Sequence, residues 1–222
     1  MVKKYTNKYY FSVEGETEKW YLEWLRDRIN ELDESRYKVA IDCKVEKDPY
    51  RRAKKMTIAS KTEIWHLSDY ESNDEFHVQQ FKQTIDNLKK ASGIGKNIVY
   101  KFGYSNFTFD LWIILHKMDC NGPKTDRKQY INSINRAYNK HFLSMDDYKH
   151  KDHFNSCLEQ LNIDNVKKAI ERSKRIMQSN QANGYQLQRY KGYSFYRENP
   201  SLMVWEVVEK ILKDCNLIVS DK

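Results

Sequence analysis

Two hydrophobic periods alternate along the first half of the chain. Tyr9, Tyr10, Phe11 and Val13 form a short aromatic and β-branched run, the pattern of a buried strand. Glu14-Gly15 breaks that run, and Gly15 reads as the residue that admits a positive φ in a tight strand-to-helix turn. Thr17 reads as the N-cap of a helix on which Trp20/Tyr21, Trp24/Leu25, Ile29 and Leu32 recur at three- and four-residue spacing. The same alternation follows twice more. YKVAIDCKV (37–45) and EIWHLS (63–68) predict strands, and so does NIVYKF (97–102). Between them, Asp48-Pro49 opens one short helix, and Asn73 or Asp74 caps another. That second helix runs through Phe76, Val78, Phe81, Ile85 and Leu88 and ends at Gly93 and Gly95. After Gly103-Tyr104-Ser105-Asn106 a strongly apolar helix starts, FTFDLWIILH (107–116), with Asn106 as its N-cap.

Strands that alternate with helices predict an α/β fold: a parallel sheet of about four strands with flanking helices and right-handed crossovers. The second half reads differently. It offers loops, a helix around 130–142, the polar run SMDDYKHKDHF, and a helix over 164–177. A polar, tyrosine-rich stretch (178–199) follows, and Asn199-Pro200 then reads as the cap of a last amphipathic helix through Trp205, Val208, Ile211 and Leu212. The expected organisation is a core over 1–118 and a C-terminal helical appendage over 119–222 packed on it.

Composition narrows the partner. The chain carries 39 Lys and Arg against 31 Asp and Glu, a net charge of +8, which favours a polyanion. Aromatic residues at 14% argue against disorder. Cys43, Cys120, Cys157 and Cys215 stand far apart without a CxxC pair, which points to reduced thiols and a cytoplasmic protein. No stretch reads as a signal peptide or a membrane span. Two basic groups suit nucleic acid. Arg51, Arg52, Lys54 and Lys55 fall on the short second helix, where the alternative is a solvated face. Arg189 and Lys191 alternate with Tyr185, Tyr190, Tyr193, Phe195 and Tyr196, a pattern that suits stacking on single strands or packing of a loop.

The candidate chemistry lies at the carboxyl ends of strands one and three, the edge where open parallel sheets bind ligands. Glu14 follows the first strand, and Asp69 and Glu71 follow the third. Three carboxylates on one edge would repel unless a cation neutralised them, and Mg²⁺ or Mn²⁺ matches oxygen donors. Such an ion supports phosphodiester cleavage. Glu16 and Glu18 read as complements to the helix dipole. Asp110 lies near the first turn of the 107–116 helix, where a carboxylate suits the dipole as well as a site, and His116 reads as a general acid, a phosphate contact or a helix-terminal histidine satisfying the last carbonyls.

A strand-EG-helix followed by a strand-DxE resembles the Toprim domain. More narrowly, EGETE (14–18), EIWHLSDYE (63–71), YSNFTFDLWIILH (104–116) and NPS (199–201) resemble the RloB family of restriction-linked, Toprim-like bacterial proteins. Glu71 stands where that family's motif usually has Asp, Phe107 where it has Pro, and Asp110 where it has Glu. The resemblance implies a metal-dependent nuclease in antiphage defence and abortive infection, with Glu14, Asp69, Glu71 and Asp110 as its catalytic carboxylates. Glu14, Asp69 and Glu71 would hold the metal. It also implies an ATPase partner and a DNA or RNA substrate, tRNA included. The competing reading is a non-catalytic nucleic-acid-binding or scaffolding subunit.

Overall fold

The structure, a computed structural model, describes residues 4–219. The first half builds β1 (Thr6–Val13), α1 (Glu16–Glu31), β2 (Lys38–Val45), α2 (Pro49–Lys55), β3 (Thr62–Asp69), α3 (Glu75–Ser92), β4 (Ile98–Asn106) and α4 (Asp110–Leu115). The second half adds α5 (Tyr130–Tyr138), α6 (Met145–Tyr148), α7 (Lys151–Leu158), α8 (Ile163–Ala182), β5 (Gln188–Tyr190), β6 (Tyr193–Phe195), β7 (Ser201–Leu202) and α9 (Val204–Asp214). The sheet order is β2-β1-β3-β4-β7, with the first four strands parallel and β7 antiparallel to β4. The mixed α/β architecture agrees with the expectation, and the fifth strand comes from the second half.

Period-2 alternation assigns the strands' side chains to two cores. Phe11, Val13, Trp65 and Leu67 face one cluster, shared with Tyr21, Leu25, Ile29, Trp112, Ile134, Val166 and Val208 of the helices on that side. Ile64, Tyr100, Phe102 and Tyr104 face the other, with Ala53, Phe81, Ile85, Leu88 and Phe195.

Several local expectations change. Gly15 has φ −139°, an extended conformation, so a positive φ is not its reason. A Cβ there would lie 3.0 Å from Glu18 Oε2, so the glycine makes room for a carboxylate. Gly15, and not Thr17, occupies the N-cap position; Thr17 is already helical. Asp48 caps α2 as expected, accepting from the Tyr50 and Arg51 N–H groups, and Asp74 caps α3 through His77 N–H. Phe76, placed by spacing on the buried face of α3, is 63% exposed.

β4 runs on to Asn106, four residues past the expected end of the strand at Phe102. Gly103 sits within it because a Cβ would meet Leu67 Cδ2 at 2.9 Å and Val204 Cα at 3.4 Å, where the start of α9 crosses. Asn106 is therefore a strand residue and not a helix cap. Its amide donates to the carbonyls of Tyr196, Arg197 and Glu198, which fastens the C-terminal segment to the sheet. Asn199 does not cap the last helix either. It exchanges hydrogen bonds with the Lys124 backbone, and β7 intervenes before α9 begins at Val204. The polar run SMDDYKHKDHF folds into α6 and α7, with Ser144 capping α6.

Candidate carboxylate site

Strand order creates the site. The chain leaves β1 to form β2 on one side and β3 on the other, so the crossovers diverge at the β1/β3 boundary. Open α/β sheets bind ligands at such a switch point. Val13 pairs with Leu67, which sets Glu14 beside Ser68 and Asp69. Ser68 Oγ donates to Glu14 Oε1 at 2.7 Å, and the Asp69 N–H reaches Glu14 Oε2 at 3.4 Å. The loop after β3 is tied to the β4–α4 connection by Tyr70 N–H to Ser105 O (2.8 Å) and Glu71 N–H to Phe107 O (2.9 Å). That tie brings Asp110, fully buried at the start of α4, to the same edge.

Glu18 completes the group. It lies one turn into α1 from Glu14, is 4% exposed, and accepts from Thr17 Oγ1 at 2.8 Å. Asp69 feels the charges of Glu18, Glu14 and Asp110, Glu18 feels Asp110, and Glu14 feels Glu18. Burial is the main cause that lifts Asp69 well above the usual carboxylate range, with Glu18 and then Glu14 adding to it. Burial also raises Glu18. Glu14 is pushed up to about 7, chiefly by burial, with the Ser68 hydrogen bond opposing and the Glu18 charge adding.

Two lysines offset this charge, Lys47 acting on Glu14 and Lys149 on Glu18, Asp69 and Asp110. Lys149, between α6 and α7, places Nζ 3.3 Å from Asp110 Oδ2, and its own pKa is raised mainly by that carboxylate. Thr108 Oγ1 donates to the same oxygen at 2.8 Å. Asp110 Oδ1 is buried without a hydrogen-bond partner among the described residues, as are the hydroxyls of Tyr130 and Tyr148.

Glu71 does not join this group. Its φ of +59° turns the chain out of the strand, so the i,i+2 pleat that would aim it alongside Asp69 ends at Asp69. The carboxylate instead meets His77 Nε2 at 3.0 Å and Arg127 Nη1 at 3.5 Å. It still lines the same cavity, about 470 Å³, with Glu14, Lys47, Ser68, Asp69 and the near face of α3. A larger cleft of about 700 Å³ opens around Asn7, Arg36, Thr62 and Lys210, at the amino end of the strands and away from the carboxylates.

The donor set suits a hard divalent cation. Glu14 and Asp69 are adjacent, Ser68 holds the Glu14 carboxylate, and both carboxyls have raised pKa values that a positive ion would reverse. An unpartnered Asp110 oxygen lies in the same group. Among the described residues no three His, Cys, Asp or Glu side chains close on one point. Mg²⁺ is commonly held by one or two carboxylates plus substrate phosphates, so two carboxylates are an adequate protein share.

The other sequence candidates fall elsewhere. His116 is fully buried, its Nδ1 2.8 Å from Trp112 O, so that nitrogen carries the proton and Nε2 accepts from Tyr21 OH at 3.1 Å. Burial lowers its pKa to about 4, and it is part of the core with Trp112. On α2, Arg52 pairs with Asp42, Lys55 with Glu46, and Lys54 stands 4.3 Å over the Tyr50 ring, while Arg51 is exposed. Arg189 and Lys191 belong to the β5–β6 hairpin, whose aromatic rings pack on the domain. Tyr190 OH bonds to Asp86, Tyr193 OH donates to Tyr100 O, and Phe195 is buried. The packing alternative thus accounts for most of those rings.

Glu18 and Lys149 are the members the motif reading passed over. Glu18 lies one turn beyond the Gly15 cap, and Gly15, whose missing Cβ leaves room for its carboxylate, is the sequence feature that marks it. Nothing near Lys149 in sequence marks it.

The fold and site define an α/β protein with a carboxylate cluster at its switch point. The chain matches the model of the RloB-like protein family over residues 9–211 and belongs to that family. No curated protein and no solved structure matched it. No helix among the described residues is long and apolar enough to cross a membrane.

Proposed function

We propose that this protein is a metal-dependent nuclease that cleaves nucleic-acid phosphodiesters. The observation that carries the reading is the grouping of half-buried Glu14 and Asp69 with buried Glu18 and Asp110 at the sheet's switch point, offset by Lys47 and Lys149. Perturbed carboxylates gathered in a cleft are the physical mark of a working site. Structural ion pairs lower carboxylate pKa values, whereas Glu14 and Asp69 are raised.

Glu14 and Asp69 would hold Mg²⁺ or Mn²⁺, which when bound neutralises a phosphate oxygen and makes water a better nucleophile. Before metal binds, Glu14 is raised to about 7, so near neutral pH a cation would bind its carboxylate in competition with a proton. Ser68 fixes the orientation of its carboxylate. Lys149 offsets the charge of Asp110, so the site tolerates four acidic groups before substrate arrives. The +8 net charge favours encounter with the polyanion. Family membership supports a place in antiphage defence in the cytoplasm, beside an ATPase partner, with DNA or RNA (tRNA included) as substrate.

A scaffolding role without catalysis is the second reading. What favours it is Glu71, committed to His77 and Arg127 and not to the carboxylate group. The experiment is cleavage of labelled single- and double-stranded DNA and RNA with Mn²⁺ by wild type, Glu14→Gln and Asp69→Asn. Cleavage by wild type and loss in both variants is expected; equal cleavage by all three would refute the site.

A further inference from the structure

One wall of the site cavity carries a different chemistry from its floor. Phe76, Gln79, Gln80, Gln83, Thr84 and Asn87 lie along α3 at three- and four-residue spacing, and all line the cavity shared with Glu14 and Asp69. The stripe contains no charged residue, although charged residues make up 32% of the chain and Lys82, Asp86, Lys89 and Lys90 occupy other faces of the helix. A helix face made only for solvent would be expected to share the chain's charge.

Its polar groups are partly arranged and partly open. Gln83 Nε2 donates to Asn87 Oδ1 at 3.1 Å, and Gln79 Nε2 to Glu75 Oε1 at 3.2 Å. Those bonds leave Gln79 and Gln83 each a carbonyl oxygen, and Asn87 an NH₂. Gln80 has no side-chain partner among the described residues. Phe76, 63% exposed, meets the His77 ring edge-to-face at 5.3 Å, and His77 is itself held by Asp74 and Glu71. An open aromatic ring is thereby buttressed at one end of a row of amides.

Amides pair with base edges, and exposed rings stack on base faces. Phosphates call for cations, which this wall lacks. We propose that the α3 wall is a nucleobase subsite: it takes an unpaired base, stacked on Phe76 and hydrogen-bonded by Gln80 and Gln83, of the strand whose phosphate lies at Glu14 and Asp69. The inference rests on the nuclease reading and specifies its substrate as single-stranded or locally unpaired nucleic acid. In a duplex the base edges and faces are already engaged, so duplex should bind less tightly.

The test is fluorescence anisotropy with Ca²⁺ in place of Mg²⁺ or Mn²⁺, which keeps a cation at the carboxylates while suppressing turnover, with 5′-labelled 12-mers of single-stranded RNA and DNA, their duplexes, and an abasic 12-mer. Phe76→Ala should weaken binding of base-bearing single strands by about 5- to 150-fold, the range for one lost stacking partner. It should leave the abasic strand unchanged. Gln80→Ala/Gln83→Ala should flatten differences among homopolymers. Circular dichroism and melting of each variant, matched to wild type, establish folding. If Phe76→Ala binds every single strand like wild type, or loses abasic and base-bearing strands equally, the subsite is refuted while the nuclease reading stands. If wild type neither binds nor cleaves any nucleic acid, both fall together. If Phe76→Ala leaves nucleic acid untouched but abolishes capture of a purified partner protein, the wall is a protein interface and the proposal is wrong.

Discussion

Glu14→Gln separates the electrostatics of the site from its chemistry. In the metal-free protein Glu14 is raised from about 4.5 to about 7, so the folded state holds its proton over a range where the unfolded chain has released it. A raised carboxylate stabilises fully below the unfolded value and loses that contribution as pH rises through the folded one. The cost on reaching pH 8 is about 3 kcal/mol at 1.36 kcal/mol per pKa unit. The amide removes the cost but also weakens the Asp69 N–H contact at 3.4 Å, worth ~1 kcal/mol. Metal-free Glu14→Gln should therefore be about 2 kcal/mol more stable than wild type at pH 8, which for this size is ~4–8 °C in melting temperature. The advantage should vanish by pH 4.5.

The assay is thermal melting of both proteins in EDTA from pH 4.5 to 8, repeated with Mn²⁺. His66 and His116 are buried with pKa values lowered to about 3 and 4, so they destabilise both proteins as pH falls below 6.5 and cancel in the difference. Mn²⁺ at 100 times its dissociation constant should stabilise wild type by ~2.7 kcal/mol and affect the variant less. A difference that is flat with pH would refute the argument that Glu14 is buried among like charges.

Three further outcomes follow from the same geometry. Lys149→Met strands Asp110 in the interior, so the metal-free protein should lose about 3 kcal/mol in urea unfolding. Asp110→Asn added to Lys149→Met should restore most of the loss, and a double variant no better than the single would refute the pairing. Asn106→Ala removes the donor shared by three carbonyls and should cost ~1–3 kcal/mol, with faster proteolysis between 185 and 203 as the readout. Arg52→Ala should lower stability through its lost pairing with Asp42, whereas Arg51→Ala should leave stability unchanged; salt-dependent oligonucleotide binding of the two variants then tests whether either touches phosphate.

The four parallel strands were legible because each joins an apolar run to a local stop signal, and the pleat and helix periods are properties of neighbouring residues. Asp48 and Asp74 were legible as caps for the same reason. What escaped the sequence is set by distant partners. β7 is two residues long and exists because Ser105 and Asn106 offer it an edge. Gly103 marks a close approach by α9, a hundred residues away, and nothing beside it announces that. Asn106 and Asn199 look like helix caps to any local rule, since a short amide just before an apolar periodic run is what an N-cap requires. Both instead bond backbone segments 75 to 92 residues away in the chain.

The site divides along the same line. Glu14 and Asp69 were legible because parallel topology fixes where strand ends go. Glu71 was misdirected because a positive φ interrupts the pleat, and no β-propensity argument anticipates a left-handed glutamate. Glu18 does lie in the first turn of α1, where the helix dipole favours it, and its burial at 4% exposed, beside Thr17 and in the space Gly15 leaves, is what brings it into the site as well. The EGETE motif is thus a single device, one glycine admitting the second of two carboxylates. Gly15→Ala tests it, because the added methyl must displace Glu18 Oε2. Main-chain geometry should survive, since φ −139° suits alanine, so the variant should fold and yet bind Mn²⁺ differently by calorimetry. Unchanged Mn²⁺ binding would make Glu18 a bystander and leave Glu14 and Asp69 as the working pair.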